Sequence, residues 1–144
     1  MPKNRFNEEE KKRIVDAIIS AEKNTSGEIR VHIDSKSEVD VYEKAGILFC
    51  DLEMDKTELK NGVLFYMAID EHKYAIVGDK GINDVTSETF WDEIKDEMKI
   101  WLQQDKIAEA LERGILMAGE ALKKYFPYDE RDVNELDDEI SFGD

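Results

Sequence analysis

Cysteine, proline and histidine are almost absent from this 144-residue chain, with one, two and two copies respectively. A single cysteine, Cys50, excludes an internal disulfide. It lies in FCDLE, with no histidine nearby and no arginine placed to receive a phosphate, so we expect it to be a small buried apolar residue. The two histidines, His32 and His72, are isolated, so no Cys/His cluster is available for zinc. Nucleophile-elbow GxSxG, Walker and cysteine phosphate-loop motifs are all missing. No segment approaches the roughly eighteen to twenty uninterrupted apolar residues of a membrane span. The amino terminus, MPKNRFNEEEKKR, lacks the apolar core of a secretory signal. These absences lead us to expect a cytoplasmic protein. Basic residues are the minority, 20 against 35 acidic, and the net charge of -15 repels nucleic acid and anionic lipid. Divalent cations and a basic protein are the partners this charge favours, and a monomer is the default expectation.

The length suits one domain with one core. Asn7 before three glutamates predicts a capped helix start, and Ile14, Ala17, Ile18 and Ala21 recur at helical spacing. The helix should end at NTSG, with Gly27 in the left-handed conformation. EIRVHID alternates as a half-buried strand does, which places His32 on the exposed side rather than in a catalytic role. Val41, Ala45, Leu48 and Phe49 share one helical face. NGVLFYMAID has the nearly continuous apolar run of a central strand, and Asp70 to His72 can turn it into KYAIVG as a hairpin. Phe90, Ile94, Met98 and Trp101 mark one further amphipathic helix; Ile107, Leu111, Ile115, Ala118 and Leu122 mark another. The order implies an α/β fold, a mixed sheet between helices in a three-layer αβα sandwich over residues 1–127. Residues 128–144 are acidic and are expected to form a partly ordered or mobile tail.

TSGEIRVHI, MDKTELKNGVLFYMAI, KYAIVGDKGIND, the Phe90-Trp91 pair and NELDDEISFG, in this order and spacing, resemble the TPM domain family of thylakoid-lumen-phosphatase-like proteins. The resemblance covers almost the whole chain. It implies an αβα sandwich with a four-stranded sheet, loops that cross near one end, and divalent metal at those loops. Some relatives are described as acid phosphatases. Many members carry a secretion signal and a membrane span; with both missing, this chain looks like a stand-alone bacterial form.

Two acidic loops are the candidates for chemistry. VGDKGIND combines two glycines with carboxylates and an asparagine, a composition suited to a cation, although a bare turn needs the same residues. Asp79 is its best candidate ligand, since ligands of αβα domains collect beyond the carboxyl ends of strands. DLEMDKTELKNG supplies Asp51, Glu53, Asp55 and Glu58, with Thr57 and Asn61 as neutral donors. It opens like half an EF-hand and then fails, because Lys56 stands at the glycine position and Gly62 at that of the bidentate glutamate. Oxygen donors select Ca²⁺ or Mg²⁺, and two ions could be held. With the loops brought together as the resemblance implies, Asp79, Asp84 and Glu58 are the leading ligands, followed by Asp51, Asn61 and Thr57, with Glu28 a neighbour. Two functions are open: a metal-stapled module whose binding surface responds to metal concentration, and a metal-dependent acid phosphatase acting on phosphomonoesters. No catalytic residue is assigned, although Lys80 could meet a phosphoryl group. A third reading has the acidic tail recruiting a basic partner.

Overall fold

The computed structural model describes residues 5–128 and 138–143. The first helix, α1 (Glu8–Glu22), starts as its sequence dictates: Asn7 Oδ1 accepts from Glu10 N at 2.7 Å while Glu10 Oε1 accepts from Asn7 N at 3.0 Å. This reciprocal cap satisfies two of the amide groups that a helix start leaves without partners. Its apolar stripe, Ile14, Ala17, Ile18 and Ala21, is buried. After it come β1 (Glu28–Asp34), α2 (Val41–Asp51), β2 (Gly62–Ala68), β3 (Lys73–Gly78), the four-residue α3 (Lys80–Asn83), α4 (Asp92–Leu102), α5 (Ile107–Lys123) and β4 (Ser141–Phe142).

The sheet runs β3-β2-β1-β4. Strand β1 is parallel to β2, from Glu28 opposite Gly62 to Asp34 opposite Ala68, and parallel to β4 on its other side. Strand β3 returns antiparallel along β2 after a 3₁₀ turn at Ile69–Glu71. Alternation along the strands then sorts the core into two layers. Ile29, Val31, Ile33, Val63, Phe65 and Met67 face α1, α4 and α5, whereas Leu64, Tyr66, Ala68 and Ala75 face α2. This is the αβα sandwich with a four-stranded mixed sheet that the sequence implies. Each fully buried large apolar side chain contributes about 1.5–3 kcal/mol.

Several local expectations fail for identifiable reasons. Gly27 is not left-handed, since no glycine among the described residues has positive φ. A Cβ there would stand 3.1 Å from Leu122 Cδ1, so glycine serves close packing instead. Cys50 is exposed, not buried, because α2 turns positions 41, 45, 48 and 49 inward and position 50 falls past the edge of that stripe. His32 is 6% exposed rather than on a solvated face. The apolar residues of α2 lie over β2 and β3, which leaves the polar side of β1 in a recess beside α2, where residues 141–143 run alongside it. The fourth strand comes from the carboxyl-terminal segment, where Ile140 and Phe142 pack against the larger core layer. Residues 129–137 of the acidic tail lie outside the described residues.

Candidate functional site

The two acidic loops meet at one end of the sheet. Strand β3 runs against its neighbours, so its carboxyl end adjoins the amino ends of β1 and β2. There Asp79 N donates to Gly62 O at 3.0 Å, and Glu28 N donates to Asn61 O at 3.3 Å. Within VGDKGIND, Val77 and Gly78 end β3 and Lys80–Asn83 form the short α3: Asp79 caps it through a 2.7 Å bond from Lys80 N to its Oδ1, and Asn83 Nδ2 donates to Gly78 O at 3.1 Å. Gly81, within α3, rests on the other loop so closely that a Cβ would collide with the carbonyl oxygens of Leu59 and Lys60. Glycine is required there by proximity and not by φ.

The predicted ligands divide into a buried and an exposed set. Thr57 and Asn61 are each 2% exposed, and Glu28 beside them is 4% exposed. Asn61 Nδ2 donates to Ser26 O at 3.2 Å. Thr57 Oγ1 and Asp79 Oδ2 are buried without a hydrogen-bond partner, which is uncommon for polar atoms out of water. Asp51 ends α2 facing solvent; Glu58 and Asp84 are exposed, and Asp84 pairs with Lys80 at 3.3 Å. Among the described residues no three His, Cys, Asp or Glu side chains gather into a group that could hold a metal. A hard cation at this end would depend on Asp79 together with neutral oxygens.

The opposite end of the sheet holds a polar cluster for which the sequence carries no motif. His32 Nδ1 is 2.8 Å from Ser141 Oγ, and His32 Nε2 is 3.1 Å from Asp34 Oδ1. Tyr66 OH donates to Asp34 Oδ2 at 2.7 Å. Asp34 is only 5% exposed. Burial lowers the His32 pKa, outweighing Asp34, which raises it; Lys44 and Arg30 lower it further. Burial, then the bond to Asp34, pushes the Tyr66 hydroxyl up, so it stays a donor. A cleft of about 520 Å³ opens beside this cluster, with His32, Asp34 and Gly143 on its wall and charges of both signs from Lys36, Lys44 and Glu38. Strand alternation places His32 and Asp34 on one side, but their meeting with Ser141 depends on pairing across more than a hundred residues.

A four-stranded αβα sandwich with interlocked loops at one sheet end defines the class of domain. The sequence model of the TPM domain family matches residues 2–121, and the chain belongs to that family. Its structure is similar to the NMR structure of BA42 protein from the psychrophilic bacterium Bizionia argentinensis, with 49% identity and a TM-score of 0.91. That match covers 96% of this chain and 95% of the other. The N-terminal domain of cg2496 protein from Corynebacterium glutamicum aligns with a TM-score of 0.65 at 13% identity, over 98% of this chain and 82% of that one. At that identity the likeness concerns the fold alone. Comparison with curated proteins yields no match. Among the described residues no helix is long and apolar enough to cross a membrane.

Proposed function

We propose that this TPM domain binds Ca²⁺ or Mg²⁺ where the loops at residues 51–62 and 78–84 meet, and that the ion staples them. The observation that supports this is the pair of orphaned buried oxygens, Thr57 Oγ1 and Asp79 Oδ2, on loops pressed together at Gly81. An oxygen without a donor is suited to a hard cation. Asp79 would supply charge, Thr57 a neutral donor, and Asn61 and Glu28 the surrounding frame. Asp51, Glu58 and Asp84 would act from the solvent side by attracting the cation. With few charged ligands, affinity should fall in the weaker part of the calcium range, at about 10⁻⁵ to 10⁻³ M. Binding to the folded state alone stabilises it and opposes opening of the loops, so metal concentration would regulate the surface they present to a basic partner.

The test is calorimetric titration of Ca²⁺ and Mg²⁺ into chelator-treated protein and its Asp79→Asn variant, with melting temperature followed beside it. Submillimolar to millimolar binding, weakened in the variant and matched by a lower melting temperature after chelation, is expected. No heat at millimolar metal would refute the reading. The phosphatase alternative predicts more: the metal-loaded protein would hydrolyse a generic phosphomonoester, and Asp79→Asn would abolish turnover with the fold intact. Absence of turnover alongside metal binding leaves the stapled module as the function.

A further inference from the structure

The cluster at the far end of the sheet has the parts of a nucleophilic site. With the ring neutral, one proton arrangement satisfies its bonds. Asp34, as a carboxylate, can only accept, so it takes Nε2–H of His32 and the hydroxyl proton of Tyr66. Nδ1 is then bare and accepts the hydroxyl proton of Ser141 at 2.8 Å. A hydroxyl on a base, with the base oriented by a carboxylate, is the relation shared by hydrolases of unrelated fold, recognised by roles and not by sequence order. Here the imidazole is turned over, with Nδ1 toward the serine. Burial lowers the His32 pKa and so favours the neutral form a general base needs.

Placement agrees with the chemistry. The cluster lies at the carboxyl ends of the parallel strands β1, β2 and β4. Ligands of such sheets collect outside the carboxyl ends of parallel strands. The cleft of about 520 Å³ is the size of a small-molecule site. Val39 and Ile47 give it an aliphatic wall. His32 and Asp34 stand on the cleft wall, and Ser141, half-buried, adjoins the cleft through its bond to His32 rather than lining it.

We propose that the cluster bordering this cleft hydrolyses small carboxylic esters, with Ser141 as nucleophile, His32 as general base and Asp34 as the residue that positions His32. Ser141 Oγ bonds to the ester carbonyl carbon as its proton passes to His32 Nδ1. The carbon–alkoxy bond then breaks, and the leaving alcohol takes that proton. Water, deprotonated by the same nitrogen, attacks the acyl-serine, releasing the carboxylic acid and restoring the Ser141 hydroxyl. Lys36 and Lys44, which share the cleft wall with Glu38, are the cations available to offset the oxyanion. None of these groups belongs to the loop site, so the activity stands apart from metal binding.

The full-length protein is treated with a fluorophosphonate probe, the adduct is mapped by peptide mass, and turnover of p-nitrophenyl acetate and butyrate is followed with and without chelator. One adduct, on Ser141, and chelator-insensitive turnover that falls about a hundredfold or more in Ser141→Ala are expected. His32 is faced by Asp34 and Arg30 from β1, Lys44 from α2, Tyr66 from β2 and Ser141 from β4. Turnover should therefore be lost as pH falls through a value below the ordinary histidine pKa, with Asp34→Asn altering that profile. No adduct, an adduct elsewhere, or undiminished turnover in folded Ser141→Ala would overturn the proposal. Mapping the adduct needs no variant, so a folding defect in Ser141→Ala leaves the test decisive.

Discussion

Replacing Gly81 with alanine separates the two reasons a glycine can be required. Its φ is not positive, so alanine can adopt the same backbone. Inside a helix that change stabilises by up to about 1 kcal/mol, and by less in a helix as short as α3. Against this gain stands the overlap of the new Cβ with the carbonyl oxygens of Leu59 and Lys60, which are backbone and cannot swing aside. Overpacking of this kind costs about 1–3 kcal/mol. The clash should win, leaving Gly81→Ala less stable by about 1–2 kcal/mol, a fall in Tm of about 2–8 °C for a chain of this size. Gly46 supplies the control: it lies on the exposed side of α2, with no atom within 4 Å of the place an alanine methyl would take. Gly46→Ala should therefore stabilise by about 0.5–1 kcal/mol. Urea unfolding of both variants, with m-values compared to keep native-state changes in view, reads the difference directly. If Gly81→Ala is as stable as Gly46→Ala, the loops are not pressed together at this point. The same variant should also weaken metal binding, because separating the loops displaces Thr57 from Asp79.

Two further perturbations probe the charges around α1. The Glu22 carboxyl is pushed up to about 9, chiefly by burial and then by its bond with Asp138. A native pKa above the unfolded value means that folding retains a proton; this stability is full below about pH 4.3 and is lost as pH rises toward 9. Glu22→Gln keeps an oxygen for the 2.9 Å bond from Ile29 N and should raise Tm more at pH 8 than at pH 5; parallel pH profiles would refute this. Arg13 joins α1 to α5 through 3.0 Å bonds to both Glu109 and Glu112. Its side chain is 37% exposed, so Arg13→Ala should cost only about 0.5–1.5 kcal/mol after solvent screening. The bond from Arg13 lowers the Glu109 pKa, so its contribution is present above the ordinary carboxylate pKa and lost as pH falls through the lowered value. Urea midpoints for parent and variant should therefore converge in acid.

How legible each part is in the sequence follows from the range of the interactions that fix it. The helices and central strands are readable because their signals are periodic and local: Ile14, Ala17, Ile18 and Ala21 announce a face whatever they pack against. The cap at Asn7 is readable for the same reason. Strand β4 is not, because two residues in an acidic segment carry no period, and only pairing with β1 makes them a strand. His32 is misplaced by the same route. Alternation correctly puts it on the polar side of β1, but polar side means solvent only if nothing lies over it. Among the six candidate ligands, Thr57, Asn61 and Asp79 fall in buried or half-buried positions and Asp51, Glu58 and Asp84 do not. Sequence supplies the oxygen chemistry of that group without its depth, since carboxylate composition is the same on a solvated helix end as in a packed loop.

The direction of β3 decides how the two ends of the sheet should be weighed. From sequence, Asp79 is favoured because it follows a strand, and ligands collect beyond the carboxyl ends of strands. That rule concerns parallel strands, whose connecting loops leave together at one end. Strand β3 is antiparallel, so Asp79 lies at the amino ends of β1 and β2. The topological reason for expecting a ligand there is removed, and the loop site rests on its own orphaned oxygens and on Gly81. Applied to β1, β2 and β4, the same rule points to Asp34 and the cleft beside it. Each end therefore stands on a different kind of argument, unsatisfied oxygen atoms at one and convergent hydrogen bonds at the carboxyl ends of parallel strands at the other. Chelation and serine labelling therefore test the two proposals separately: absence of a metal response would leave acylation of Ser141 open, and absence of an adduct would leave metal binding open.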